Sequence, residues 1–439
     1  MRHLHQIATG RLRNAGSASG RFDKFVFALN NLKTQLNVLA ILFVAALNIY
    51  PQSAWIGSWA SSQQIPEPAN ALAPDDLQNA TLRQVVHLSA GGVAIRIHLS
   101  NAFGVAPLHI AAAHIARPVS NASAAIDPAT DRVVNFAGRE DVTIPAGAEY
   151  ISDPIQFAAQ PGSDLTISIH YTDPPLSETG HPGSRATSYL VRGDMLAAPD
   201  LPGARKIEHW YQLSGVDVAA AGNASFSIVA LGDSITDGHA ATTNGNTRWP
   251  DVLARRLRAA GLTHIGVLNQ GIGGNHLLTD GLGPNALARF DRDVLAQPGV
   301  RYVIVLEGVN DLGGLARTMQ ASPAEHAELV RRILAAYGQI ISRAHNDHLR
   351  VIGATVTPYV ASNYYHPDAA SEADRQAVNA WIRAPGHFDD VIDFDGVLRD
   401  PTQADRLLPA LDCGDHLHPS PAGYAAMANA IPLALFTSH

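Results

Sequence analysis

The chain has 439 residues and a mass of 46.5 kDa, more than one ordinary domain requires and enough for two. Apolar residues make up 46% and charged residues 16%, which excludes a disordered or supercharged chain, and its 36 glycines and 27 prolines follow no collagen-like period. Of 31 basic and 39 acidic residues, six basic and one acidic fall within residues 1–54, so the body that follows carries 25 against 38, or −13. Phosphate backbones repel a body of that charge, so no nucleic-acid partner is expected. A lone cysteine, Cys413, excludes an internal disulfide framework and any cysteine-rich metal or iron–sulfur site.

Residues 1–54 read as a targeting segment. A basic, polar stretch precedes Leu36–Tyr50 (LNVLAILFVAALNIY), which is apolar apart from Asn37 and Asn48. That run falls short of the roughly 20 residues a membrane-spanning helix needs. A basic region followed by a short apolar core is the pattern of a secretory signal peptide, and an uncleaved N-terminal anchor is the alternative. Both readings put the body outside the cytoplasm, secreted or periplasmic, touching a membrane only through that segment. A body of this size can bury a sufficient core without disulfides.

Residues 55–221 read as a β-rich domain. Val93, Ile95, Ile97 and Leu99 alternate with Ala94, Arg96 and His98, the period of a half-buried strand. Leu165, Ile167, Ile169 and Tyr171 repeat the pattern. Turns are marked at Gly91-Gly92, Asp127-Pro128, Pro145-Ala146-Gly147 and Asp173-Pro174-Pro175. Short strands with such breaks suggest an antiparallel sandwich. Trp55, Trp59 and Trp210 are assigned to packing in preference to sugar stacking.

The pattern changes near Gly222, and residues 222–439 read as an α/β domain. Phe226–Leu231 (FSIVAL) is a strand buried on both faces, followed by a helical face through Trp249, Leu253 and Leu257. Ile265–Leu268, Tyr302–Leu306 and Val351–Val356 supply further buried strands, with Val391–Phe394 as a fifth candidate. Ala324–His345 has helical spacing, and Pro421–Phe436 is expected as a closing helix. Strands alternating with helices argue for a parallel sheet covered on both faces, with ligands beyond the carboxyl ends of its strands.

Polar motifs stand at those ends. Gly232-Asp233-Ser234-Ile235-Thr236-Asp237-Gly238 follows the first strand, so Ser234 is either an exposed nucleophile or a helix N-cap. Thr236 stands where the α/β-hydrolase elbow would have its second glycine, so that family is not matched. Asn269-Gln270-Gly271-Ile272-Gly273-Gly274-Asn275 brings backbone N–H groups close to a ligand, or is simply a turn. In Glu307-Gly308-Val309-Asn310-Asp311, the Asn310 amide can donate to a developing oxyanion, or cap. Asp415-His416-Leu417-His418-Pro419 spaces Asp415 and His418 so that the carboxylate can orient the imidazole. A metal site competes there, because Asp412, Cys413, Asp415, His416 and His418 are crowded together. His239 reads as a polar loop residue, and Cys413 as a small hydrophobe. The acidic stretch Asp389, Asp390, Asp393 and Asp395 reads as solvated carboxylates flanking a strand.

In this order and spacing the four motifs resemble the GDSL family, also called SGNH hydrolases, over about Ser227–Phe436. The resemblance implies a flavodoxin-like, three-layer α/β/α domain, here preceded by an all-β, sandwich-like domain as in bacterial secreted members. It implies Ser234 as nucleophile, His418 as general base and Asp415 as its orienting acid. It also implies an oxyanion hole from the Ser234 and Gly274 N–H groups and the Asn310 side chain. Arg248-Trp249-Pro250-Asp251 and Arg289-Phe290-Asp291-Arg292-Asp293 recur in that group and are read as scaffold or pocket rim.

No phosphate loop, dinucleotide fingerprint or metal-binding helix is present, so neither cofactor nor metal is expected. The expected activity is hydrolysis of carboxylic esters through an acyl-enzyme, on acetyl or short-chain esters of carbohydrates such as acetylated polysaccharide. A lipolytic enzyme (lysophospholipase or thioesterase) is the alternative. A polysaccharide-binding protein using the β-domain is disfavoured by the intact motifs.

Overall fold

The computed structural model describes residues 54–220, 222, 224–318 and 321–437. Residues 1–53 of the candidate targeting segment, including Leu36–Tyr50, lie outside them, and Ala54 opens the first strand. Among the described residues no helix is long and apolar enough to cross a membrane.

The first half contains β1 (Ala54–Ala60), β2 (Ala80–His87), β3 (Gly92–Ser100), β4 (Leu108–Ile110), β5 (Ala112–Ala116), β6 (Arg132–Val134), β7 (Val142–Ile144) and β8 (Glu149–Ile151). It continues with β9 (Ile155–Ala159), β10 (Asp164–Tyr171), β11 (Gly180–His181), β12 (Ser188–Arg192), β13 (Arg205–Ile207), β14 (Trp210–Tyr211) and β15 (Leu213–Ala220). Two antiparallel sheets carry it: β1-β15-β3-β8, with β9 also on β3, and β13-β12-β2-β10-β5-β6. Ile95, Ile97, Leu99, Leu165, Ile167 and Ile169 are fully buried between them.

The alternate positions depart from expectation. Thr166, Ser168 and His170 on β10 are buried as well, because the outer face of that sheet is covered. Arg83, on neighbouring β2, is wholly enclosed there and donates to Ser168 Oγ and to the carbonyls of Ala124, Met195, Leu196 and Ala198. One guanidinium thus satisfies two loops that would otherwise leave carbonyls unpaired.

The second half contains β16 (Phe226–Gly232), α1 (Ser234–Asp237), α2 (Trp249–Ala259), β17 (Ile265–Gly271), α3 (Ala286–Phe290), β18 (Val300–Leu306), α4 (Val309–Thr318) and α5 (Pro323–Asn346). It ends with β19 (Arg350–Ala354), α6 (Ala369–Arg383), β20 (Asp390–Ile392), α7 (Phe394–Leu398) and α8 (Pro421–Ala430). All five strands are parallel, in the order β17-β16-β18-β19-β20. That is the flavodoxin-like order. Right-handed crossovers then put α2 and α8 on one face, in mutual contact, and α5 and α6 on the other. The closing helix is shorter than expected. Pro432 has no N–H to offer, Ile431 is extended, and the chain continues as a 3₁₀ turn over Leu433–Phe436.

The two halves form one compact unit, Ser53–His439. β1 lies against the second half: Gly57 N–H donates to Pro298 O at 3.1 Å, and Ser227 Oγ donates to Gly57 O. A side chain at Gly57 would strike Leu268.

Candidate active site

β16 ends at Gly232, where an added Cβ would lie 2.1 Å from Thr236 Oγ1, so only glycine lets the chain turn there. Asp233 caps α1, accepting from Ile235 N, and Ser234 opens the helix with its side chain directed to the loop before α8. That loop is shaped by its own carboxylates. Asp412 accepts from Gly414 N and His416 N, and pairs with the His416 ring. Asp415 Oδ1 accepts from Leu417 N and His418 N, leaving Oδ2 for His418 Nδ1 at 2.6 Å. His418 Nε2 then accepts from Ser234 Oγ at 2.8 Å. Ser234 and His418 are both buried.

Partial burial alone would raise the Asp415 carboxyl. The bonds from the His418 ring and backbone outweigh it and hold Asp415 well below the ordinary range. It remains a carboxylate, the state that fixes the His418 tautomer.

Gly274 follows β17 with φ of +66°, a left-handed geometry that favours glycine. Among the described residues, neither the Ser234 nor the Gly274 N–H has a hydrogen-bond partner. Asn310 lies in the first turn of α4. Its Nδ2 spends one hydrogen on Asn275 O at 2.6 Å, and its Oδ1 accepts from Tyr365 O–H at 2.5 Å. The second Nδ2 hydrogen is left for a ligand. Ser234, Gly274, Asn310, Asp415 and His418 all line one open cavity of about 720 Å³. The structure therefore brings together every residue singled out for the chemistry.

Behind this wall sits Arg289, fully enclosed. It donates to Gly232 O, Gln270 O and Asn275 Oδ1, and pairs with Asp293 and Glu307. One guanidinium thus ties together the ends of three neighbouring strands and the Gly274 loop. The surroundings are rich in acid. Burial pushes Asp233 up to about 7, against the Ile235 N–H bond. Burial and the nearby Asp233 push Glu307 well above the carboxylate range and so favour its neutral acid, an effect that Arg289 offsets only in part.

Tyr365 and His239 are among the cavity residues that the sequence did not single out. Tyr365 sits in a loop without a motif, and nothing in the sequence marks it. His239, read as an ordinary loop residue, lies against His418, ring centroids 4.0 Å apart, with Nε2 3.7 Å from Asp415. Partial burial and the nearby His418 push it down to about 4, so it stays neutral near pH 7. Its place directly after the Gly232–Gly238 block was the available clue.

The acidic stretch also differs from expectation. Asp395 is fully buried and paired with Arg375 and Arg383, because α6 lays both arginines over the end of β20. Donor atoms of His239, Asp415 and His418 lie within 4.8 Å of one another. Both His418 nitrogens are engaged by Ser234 and Asp415, which leaves that ring without a free lone pair for a metal. The Asp412–Cys413–Asp415 set has comparable spacing. Burial and the adjacent acids push the half-buried Cys413 thiol up to about 11, away from the thiolate that metal binding needs.

Residues 230–426 match the GDSL-like Lipase/Acylhydrolase family. No curated protein matches the chain. Solved structures do. A lipase/acylhydrolase from Enterococcus faecalis is 21% identical over 48% of this chain and 96% of its own, with a TM-score of 0.37. A GDSL-like lipase from Bacteroides thetaiotaomicron is 19% identical over 48% and 88%, with a TM-score of 0.36. An acetyl xylan esterase from Geobacillus stearothermophilus is 22% identical over 48% and 94%, with a TM-score of 0.35.

Proposed function

Because residues 230–426 make this chain a member of the GDSL-like lipase/acylhydrolase family, the carboxylic ester hydrolases, we propose that Ser234, His418 and Asp415 cleave short-chain esters of carbohydrates. One observation carries the reading. The Ser234–His418–Asp415 relay, at 2.8 and 2.6 Å, opens on a cavity that also offers two unpartnered N–H groups and an amide.

Ser234 Oγ attacks the ester carbonyl as its proton passes to His418 Nε2. The oxyanion is met by the N–H groups of Ser234 and Gly274 and by Asn310 Nδ2. Collapse breaks the bond to the alcohol, which leaves with the proton from His418. Water, deprotonated by the same nitrogen, then releases the acid and restores Ser234. Asp415 stays ionised and keeps the Nδ1 proton in place. No cofactor takes part in this scheme.

The cavity lining supports the substrate class. Apolar contact comes from Leu282, Leu417 and the tyrosine rings, whereas Ser362, Asn363 and His239 offer polar groups to an alcohol. Tyr364, 54% exposed and backed by Arg317, presents a ring face of the kind sugars stack on. The apolar core of residues 36–50 supports an address outside the cytoplasm, where acetylated polysaccharide is met. One feature favours a second, lipolytic reading: about 720 Å³ is room for a longer acyl chain.

A p-nitrophenyl ester series from acetate to palmitate, beside acetylated xylan and a lysophospholipid, separates the two. The carbohydrate reading expects kcat/KM to fall steeply beyond butyrate. A long-chain optimum would overturn it.

A further inference from the structure

The helix that carries Ser234 is a single turn, too short to hold its shape unaided. Asn269 and Arg248 of its own half donate to the carbonyls of Thr236 and Asp237, and a further anchor comes from the other half of the chain. At its last residue, Asp237 Oδ1 meets His181 Nε2 at 2.9 Å, with side chains 6% and 4% exposed. The His181 ring is itself held: Nδ1 lies 2.8 Å from Ser62 O, and one face stacks on Trp210. Arg248 strengthens the seam, donating to Asp237 O and to Ser184 O, one on each side of it. Contact is close enough that a Cβ on Gly183 would lie 1.9 Å from Asp237 Oδ2.

A second seam lies a few residues after β1. Ser62 Oγ donates to Asp293 and accepts from Arg289, the guanidinium that gathers Gly232 O, Gln270 O and Asn275 behind the site. Gln64 Nε2 donates to Leu282 O at 2.7 Å, and so holds a wall of the cavity. All three contacts come from residues that neither contact the relay nor line the cavity, apart from this last backbone bond.

We propose that the β-rich half supplies positioning residues to the ester-cleaving site. His181 holds the Ser234 helix through Asp237, and Ser62 holds the oxyanion loop through Arg289. The proposal rests on Ser234 being the nucleophile. Its physical content is that a half-turn rotation of the helix or a slide of the Gly274 loop misplaces the attacking oxygen or a donor, and small misplacements of reacting groups are costly in rate. Losing one partner of a buried pair is the kind of change that permits such a shift.

The test uses the full chain, with p-nitrophenyl acetate turnover at 25 °C and phosphonate labelling of the active serine. His181→Ala should lower kcat and the labelling rate in parallel, by about tenfold, with KM within about threefold. His181→Gln, which keeps one donor, should recover part of both. His114→Ala is the control: it removes a less deeply buried histidine–carboxylate pair, with Asp131, in the same half. It should lower the melting temperature and leave both rates within about twofold.

Equal rate losses in the His114 and His181 variants at matched melting temperature would overturn the proposal, as would wild-type rates in folded His181→Ala. If His181→Ala does not fold, Ser62→Ala, which removes a single hydroxyl, decides by the same readouts. Ser234→Ala is run alongside. Residual turnover there overturns the ester-site reading itself, whereas an inactive Ser234→Ala with an indifferent His181→Ala overturns only the positioning role.

Discussion

The two halves of the molecule bury charge in different ways. In the β-rich half the buried charges meet either a counter-charge or a cage of hydrogen-bond acceptors. Asp217 lies between Arg96 and His98, and His98 also meets Glu149. Arg83 is spent on one hydroxyl and four carbonyls. In the α/β half Asp233, Glu307 and Asp311 are gathered behind the Ser234 turn, with Arg289 as the cation that faces Glu307. Burial displaces all three acids upward. Matched charge stiffens a scaffold, whereas under-compensated charge concentrates where chemistry is done. The two halves are nonetheless interlocked, so the contrast can be probed one residue at a time.

The largest effect is expected at the relay. His418→Ala should lower kcat by about 10⁴–10⁶, and Asp415→Asn by about 10²–10⁴, because the orienting acid is the less costly member to lose. Steady-state turnover of p-nitrophenyl acetate measures both. Equal losses would mean that Asp415 does more than hold the ring. Asn310→Ala should cost about 10²–10³ in kcat with little change in KM, as for other oxyanion donors.

A smaller effect is expected at Tyr365. Tyr365→Phe leaves Asn310 Oδ1 without its 2.5 Å donor, so the amide is free to rotate. A lost buried hydrogen bond of about 1–3 kcal/mol predicts a fall in kcat of about tenfold. Wild-type kcat in that variant would show that Asn275 alone fixes the amide.

The distribution of these residues explains what could be read in advance. Buried parallel strands are continuous apolar runs, and their polar motifs follow directly, so Ser234, Gly274, Asn310 and the Asp415–His418 pair stood in contiguous blocks. Ser62, His181 and Tyr365 reach the site across long stretches of chain, and no local pattern marks them. The double burial of β10 was hidden for a related reason. Its alternation matched a half-exposed strand, and only the loops brought over by Arg83 cover the outer face. The acid at Asp395 looked solvated because its arginine partners, Arg375 and Arg383, lie on a separate helix. The end of the last helix, by contrast, was announced by Pro432 and overlooked.

The smallest effect should appear in stability alone. Burial would lower the His98 imidazole, but its bonds to Asp217 and Glu149 carry it up to about 9. A folded-state value raised above the unfolded one gives stability that is complete below about pH 6.5 and is lost as pH rises through about 9. His98→Ala should therefore melt several degrees below wild type at pH 6, with the gap narrowing by pH 9.5, and with kcat unchanged at 25 °C. A gap that is constant across this range would mean that the ring is held neutral.

The central claim is that Ser234 forms a covalent acyl-enzyme with His418 as its base. Mass spectrometry of the protein after reaction with a p-nitrophenyl phosphonate tests it most directly. The account predicts one adduct per chain, on the peptide containing Ser234, formed far more slowly in His418→Ala and absent in Ser234→Ala. An adduct on another residue, or esterase turnover that survives Ser234→Ala, would contradict it.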